Sequence, residues 1–452
     1  MWGGRARLVA LVVGVLLVAI AMGVVSVTSQ DYAVLVACVV LAAGLIFVDP
    51  VLIVVLAPVA TLLMSRVGGA LSVSDVVLAA GMLVALVMFR ARGLRDMAPL
   101  LWAGTFYLAT AVPTLILNRY SANVVEWLHE VVLVLGSMVV GYTIGQRGRA
   151  RQAVGIYVVA CVGIAIAAAI VGLYMLATGQ GFGPVYLPML DKNLIGGVLA
   201  ATIVIVYGRP AWFPISRRLG WFVIAVSALG LMASGARQAI IGAVAGLVVL
   251  SLRPRPDTGR RPKLVWIVGI PAVIFVLTLV NDQLTSDNAF NSANQRLNWY
   301  ADTIGVWLTS PVFGVGLRWW YTSRFNVAFQ PPNAEFEVIS SVGVVGLIGF
   351  LVMFIVGMVA LWRINPAYGM VGVAIIGTRF AAGQFDLYWV AGQSSFLWII
   401  AGICYGALAY DRAQGREQFA TRPAARRGAV RAAAFHSRTV GYGGSASSAS
   451  HI

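Results

Sequence analysis

In FQPPNAEFEVISSVGVVGLIGFLVMF, residues 329–354, a Pro-Pro-Asn turn bearing two carboxylates runs straight into an apolar, glycine-studded segment. Asn333, Glu335 and Glu337 thus sit at the mouth of a hydrophobic helix. A carboxylate there can act as a general base on a substrate hydroxyl. It also fits a plainer role, as a solvated loop acid or a first-turn charge favoured by the helix dipole. The cations pose the complementary question. In LMASGARQAIIGAVAGLVVL, Arg237 occupies a turn of a few residues between two apolar stretches. A guanidinium at that depth is costly unless it lines a wet cavity or meets an anion; the other reading is an arginine snorkelling from a helix end. Arg119, Lys192, Arg296, Arg318, Arg324 and Arg379 raise the same question.

The elements that must position these residues follow from composition. Of 452 residues 60% are hydrophobic and 11% charged, with a mean hydropathy of +0.88. Such a chain is a polytopic, all-α membrane protein, not a soluble enzyme. Apolar runs each long enough to cross a bilayer predict spans near 8–26, 32–48, 51–66, 75–90, 98–117, 124–146, 152–177, 193–208, 219–234, 236–252, 264–281, 338–362, 367–380 and 394–410. That is a transmembrane helical bundle of about 12–14 spans. It divides into an N-terminal bundle (1–281), a long external loop (282–337), C-terminal helices (338–410) and a basic tail (411–452) expected to be disordered. The N-terminal stretch also has the n- and h-regions of a signal peptide; without a clean small-x-small site it reads as an uncleaved first span.

Charge sets the orientation. Arginines cluster in alternate loops, at 90–95, 147–151, 209–218 and 253–261, with more in the tail after Tyr410. The positive-inside rule makes these loops and both termini cytoplasmic. The net charge of +16 is then mainly a topology signal, and no interleaved aromatics mark a nucleic-acid surface. Cys38, Cys161 and Cys404 each fall inside a predicted span, which leaves no disulfide framework or metal cluster for the outer face.

The external loop has an internal order. NQRLNWYADTIGVWLT, residues 294–309, puts Leu297, Tyr300, Ile304, Trp307 and Leu308 on one face, as suits a helix lying in the membrane interface. SPVFGVG breaks that helix. Arg318, Trp319, Trp320 and Arg324 follow, and the aromatics also fit an interfacial belt. Gly343, Gly346 and Gly349 have the spacing of close helix packing in lipid.

LDKNLIGGVLA, ASGARQAIIG, NQRLNWYADTI, SPVFGVG and PPNAEFEVISSVGVVGLIGF occur in this order between residues 190 and 350. The set resembles the O-antigen ligase and O-antigen polymerase superfamily of bacterial membrane glycosyltransferases. The resemblance covers roughly residues 180–365. It implies metal-independent, cofactor-free transfer of a glycan from a polyprenyl-diphosphate donor to a glycan or lipid-glycan acceptor, at the outer face of the bacterial inner membrane, alongside polysaccharide-assembly partners. Arg237 and Arg296 match the family's two important arginines; Lys192 and Asn193 match its pattern before a span. Arginines fixed at an interface can hold phosphate oxygens bidentately and stabilise a leaving diphosphate without a metal. Arg318 and Asn333 are expected to bind substrate. The family's external histidine, however, falls at Pro332, which cannot take a proton. Glu335, three residues on, is the replacement base; His129, between Glu126 and Glu130, is the other candidate or an ordinary interfacial histidine. Two further functions stand beside the transferase: a lipid-linked glycan flippase, and an inactive family member that organises an export complex.

Overall fold

A computed structural model describes residues 49–67, 71–88, 91–253, 292–327, 329–390 and 392–417, with single positions at 40, 44, 274 and 278. The expected spans 8–26, 32–48 and 264–281, the signal-like N-terminus and the tail beyond 417 lie outside the described residues. Within them the chain is a bundle of twelve main helices: α1 (Pro50–Ala60), α2 (Val73–Met88), α3 (Ala98–Leu117), α4 (Ser121–Gln146), α5 (Ala150–Ala177), α6 (Lys192–Gly208), α7 (Arg217–Ser234), α8 (Arg237–Leu252), α9 (Ser292–Trp307), α10 (Ala334–Arg363), α11 (Pro366–Gly383) and α12 (Gln393–Ala413). Among the described residues, α3, α4, α5, α7, α10 and α12 are long and apolar enough to cross a membrane; α1, α2, α6 and α8 are shorter apolar helices.

The expected span 51–66 is the one that departs most. Its helix stops at Ala60, where the Thr61 hydroxyl turns back onto the Pro58 carbonyl. The chain then forms a two-residue antiparallel pair, Arg66 opposite Ser72 and Val67 opposite Leu71. At the other end α12 continues past Tyr410 to Ala413, and Glu417 folds back on Arg412. The ordered chain therefore reaches a little further into the basic segment than its composition suggests.

Helix α12 is the axis of the bundle, with 83% of its apolar window buried. It can lie against α4 because both carry glycines four apart: Gly141 and Gly145 face the backbone at Ile399 and Ala407, while Gly402 and Gly406 face the backbone at Met138 and Tyr142. A side chain at any of these positions would collide with backbone, and small residues at this spacing are how helices approach closely where lipid supplies no hydrophobic drive.

Helix α10 is interrupted at Gly343, whose φ of 70° and ψ of −170° only glycine adopts readily. The break frees backbone groups that the SPVFGVG turn takes up. Val315 and Gly316 N–H donate to the Ser340 and Ser341 carbonyls, and Val344 and Val345 N–H donate to Pro311 and Val312. A Cβ on Gly343 would strike Val312. Gly343 thus seats the external loop instead of packing against another span. Helix α9 precedes that turn. It buries Thr303 and Val306, stacks Tyr300 on Phe336, and leaves Leu297, Ile304 and Leu308 exposed along one side.

Candidate active site

The external loop is clamped to the ends of α3 and α4. Leu317 N–H donates to Asn123 Oδ1 at 2.8 Å, the Tyr120 hydroxyl donates to the Leu317 carbonyl at 2.6 Å, and Arg324 donates to Asn118 Oδ1 and the Val315 carbonyl. Arg324 is accounted for by that role. Trp319 and Trp320 are buried, with the Trp319 indole N–H on Ser340 Oγ. They form a small core with Val306 and Val315, so these two are not belt residues. The clamp turns Arg318, at φ 53°, inward. Its Nε lies 2.5 Å from Glu126 Oε2.

A second segment closes from the opposite side. Arg379, buried on α11, donates to the carbonyls of Leu387 and Tyr388 and to Gln393 Oε1. Tyr388 packs edge-on against Phe350, and Trp389 stacks on Tyr107. Residues 386–389 are thereby fixed by a cation below and aromatic rings beside them. Asp386 is the consequence: Oδ1 accepts from Asn193 Nδ2 at 3.1 Å and Oδ2 from Gln238 Nε2 at 3.3 Å. Gln238 is the neighbour of Arg237, the first residue of α8. Asn193 sits in the first turn of α6, which Asp191 caps by accepting from the backbone N–H of Asn193 and Leu194.

These pieces enclose a cavity of about 440 Å³ whose wall includes Lys192, Asn193, Asp386, Arg318 and His129. Three expected substrate-binding residues, Lys192, Asn193 and Arg318, meet there although 125 residues of sequence separate Asn193 from Arg318. Arg296 lies within electrostatic reach of both Arg237 and Asp386, which brings the two expected arginines near one another and Arg296 near that carboxylate. The charge is mixed. Asp75 faces His129 Nε2 at 3.1 Å, a close charge pair that lacks hydrogen-bond alignment, and Ser72 donates to its other oxygen. His129 Nδ1 is 3.4 Å from Glu126. Both ring nitrogens therefore face carboxylates. Burial pushes the Asp386 carboxyl above its usual range, Arg379, the Leu387 N–H and Arg296 pull it back, and Asp191 pushes it up again; the outcome is a raised value.

Asn333 and Glu335 lie apart from this wall. Asn333 caps α10 by accepting from Phe336 N–H, and its amide donates to the Gln384 carbonyl. Glu335 Oε1 accepts from Gln384 Nε2 at 2.6 Å, and its other oxygen is enclosed without a hydrogen-bond partner. Both tie α10 to the segment that carries Asp386. Glu337 is buried, with Oε1 on Gln330 Nε2. Asp386 itself escapes sequence reasoning: its signal, one acid in the short QFDLYW loop after an unexplained Arg379, has meaning only once Asn193 and Gln238 are known to meet it.

The helices and the buried polar clamp define a multi-pass membrane protein with a site at one end of its bundle. Residues 222–351 match the family model described as O-antigen ligase, which bears out over that segment the resemblance drawn from the motifs. The match includes Arg237, Arg296, Arg318, Asn333 and Glu335, and stops short of Lys192, Asn193 and Asp386. It supports a membrane glycosyltransferase of the ligase or polymerase kind in general, with lipid-linked glycan as the class of substrate. A search of curated proteins returns no match.

Proposed function

We propose that the protein moves a glycan from a polyprenyl-diphosphate carrier onto an acceptor hydroxyl, as a polymerase or ligase, at the outer face of the bacterial inner membrane. The observation that supports this most is the convergence on one cavity of Lys192, Asn193 and Arg318, with Arg296 within electrostatic reach of its Asp386 and Gln238, the neighbour of Arg237, bonded to that carboxylate. Arg237 and Arg296 hold the diphosphate, whose charge grows as the glycosidic bond breaks. Lys192 and Asn193 orient the sugar next to it. Arg318, partly neutralised by Glu126, contacts the acceptor side.

In the transfer the acceptor oxygen bonds to the anomeric carbon while the carbon–oxygen bond to phosphate breaks. The diphosphate leaves with the electron pair, and the acceptor proton goes to a carboxylate. Of the carboxylates on the cavity wall, Asp191 caps α6 and Asp75 is taken up by His129 and Ser72, whereas Asp386 lies within reach of Arg296, so we assign that proton to Asp386; Glu335, behind Gln384, braces its segment. The test is purified protein in lipid nanodiscs with a polyprenyl-diphosphate-linked oligosaccharide and a glycan acceptor. Extended or transferred glycan and free polyprenyl diphosphate should appear together, unaffected by chelator, and Arg237→Ala or Arg296→Ala should abolish both. Carrier that crosses the bilayer with its glycan still attached would indicate a flippase instead.

A further inference from the structure

The opposite end of the bundle carries a second cavity, of about 500 Å³, that the transfer reaction does not use. It opens between the start of α3 and the ends of α10 and α12. Arg363 closes α10, at the end opposite Glu335. Three guanidiniums line this cavity, Arg95, Arg363 and Arg412, and all three are exposed. The remaining wall is largely apolar. Ile355 and Val359 form its outer lip and are 56% and 41% exposed, on the side of α10 turned away from the bundle.

The charges are unequally spent. Arg412 is held by Glu417 through two contacts, and Asp96, the cavity's acid, accepts from the Tyr142 hydroxyl. Among the described residues neither Arg95 nor Arg363 has a carboxylate within ion-pair distance. Three guanidiniums against Asp96 and Glu417 leave an excess of positive charge, with Arg95 and Arg363 in no ion pair, over an apolar cleft that opens sideways, at the end of the bundle whose basic loops mark the cytoplasmic leaflet. Arginine snorkelling alone would explain cations at helix ends. It would not explain a cavity of ligand size whose cationic rim joins an outward-facing apolar lip.

We infer that this cavity binds one anionic phospholipid of the inner leaflet, with its phosphate between Arg95 and Arg363 and its first acyl carbons along Ile355 and Val359. Charge complementarity selects an anionic headgroup, and the lip requires a lipid in place of a free phosphate. The inference stands independently of the reaction at the other end.

Delipidated full-length protein in neutral detergent is titrated with phosphatidylglycerol, then phosphatidylcholine, and bound lipid is counted by native mass spectrometry. One phosphatidylglycerol should bind preferentially. The double variant Arg95→Gln/Arg363→Gln should weaken that binding by about thirtyfold, since each interfacial cation contributes about a factor of five. Arg217→Gln/Arg218→Gln, a pair equally basic and exposed at the start of α7 and lining neither cavity, should leave it unchanged. Val359→Trp keeps all the charges and fills the cleft, so it too should remove the bound lipid, and it serves where the double variant folds poorly. Equal retention of both lipids would overturn the inference. So would equal loss in the Arg217/Arg218 control, lipid binding that survives Val359→Trp, or displacement of phosphatidylglycerol by millimolar inorganic phosphate.

Discussion

At the scale of single residues, the base missing at Pro332 is assigned by our proposal to Asp386, in a different part of the chain. The cations were legible early: Arg237, Arg296, Lys192 and Arg318 are charges that the positive-inside rule leaves unexplained. The carboxylate was not, because Glu335 and Asp386 look alike in sequence and only the fold shows which one meets Asn193 and Gln238. The two variants separate them. Asp386→Asn keeps the shape but cannot accept a proton, and it should lower turnover by about a hundredfold or more with donor binding retained. Glu335→Gln should keep most of the activity, because a glutamine can still accept from Gln384. Single-turnover assays with bound donor measure both, and the reverse ranking would return the proton to Glu335. The pH profile carries a further expectation. Asp386 works as a base only when ionised, and burial raises its pKa. Activity should therefore fall on acidification at a pH above the ordinary aspartate value of about 3.9, and the asparagine variant should lack that limb.

At the scale of elements, the periodic spans were readable and the irregular pieces were not. Nine helices from α3 to α12, all but the loop helix α9, begin and end within four residues of the expected spans. Hydropathy read 51–66 through to Ser65 and Arg66, because it cannot see the Thr61 turn. Gly343 is the instructive case: its spacing from Gly346 and Gly349 suggested helix contacts in lipid, whereas its positive φ opens α10 to the SPVFGVG turn. Gly343→Ala should destabilise the protein by about 1–3 kcal/mol through a strained backbone and a clash at Val312, lowering the thermal midpoint in detergent and loosening the external loop to protease. Asn333→Ala removes a cap and should cost about 0.5–2 kcal/mol. A Gly343→Ala protein as stable and as protease-resistant as wild type would contradict the docking role of the break.

At the scale of the whole molecule, the sequence carried the class and the order of the motifs, since each is a local or additive property. Proximity between distant segments was beyond it. His129 lies 63 residues before Lys192, yet both face one cavity, and Asp386 lies far beyond the motifs it joins. Sidedness can be checked with reporter fusions: after Arg92, Arg255 and Tyr410 they should report cytoplasm, and at Asn288 the outside. A cytoplasmic signal at Asn288 would put the cavity on the wrong face for a carrier presented outside. The central claim, that the cavity at the end of α6 and α8 transfers glycan from a diphosphate carrier, is tested most directly by one reaction. Wild-type protein and the Asp386→Asn and Arg237→Ala variants are reconstituted with a polyprenyl-diphosphate-linked oligosaccharide and an acceptor glycan, and transferred glycan is counted against free polyprenyl diphosphate. The account predicts equal amounts of both products from wild type, and loss of both from the two variants even though the Asp386→Asn protein still binds donor. Undiminished transfer by both variants, or no transfer by a wild-type protein that binds donor, would contradict it.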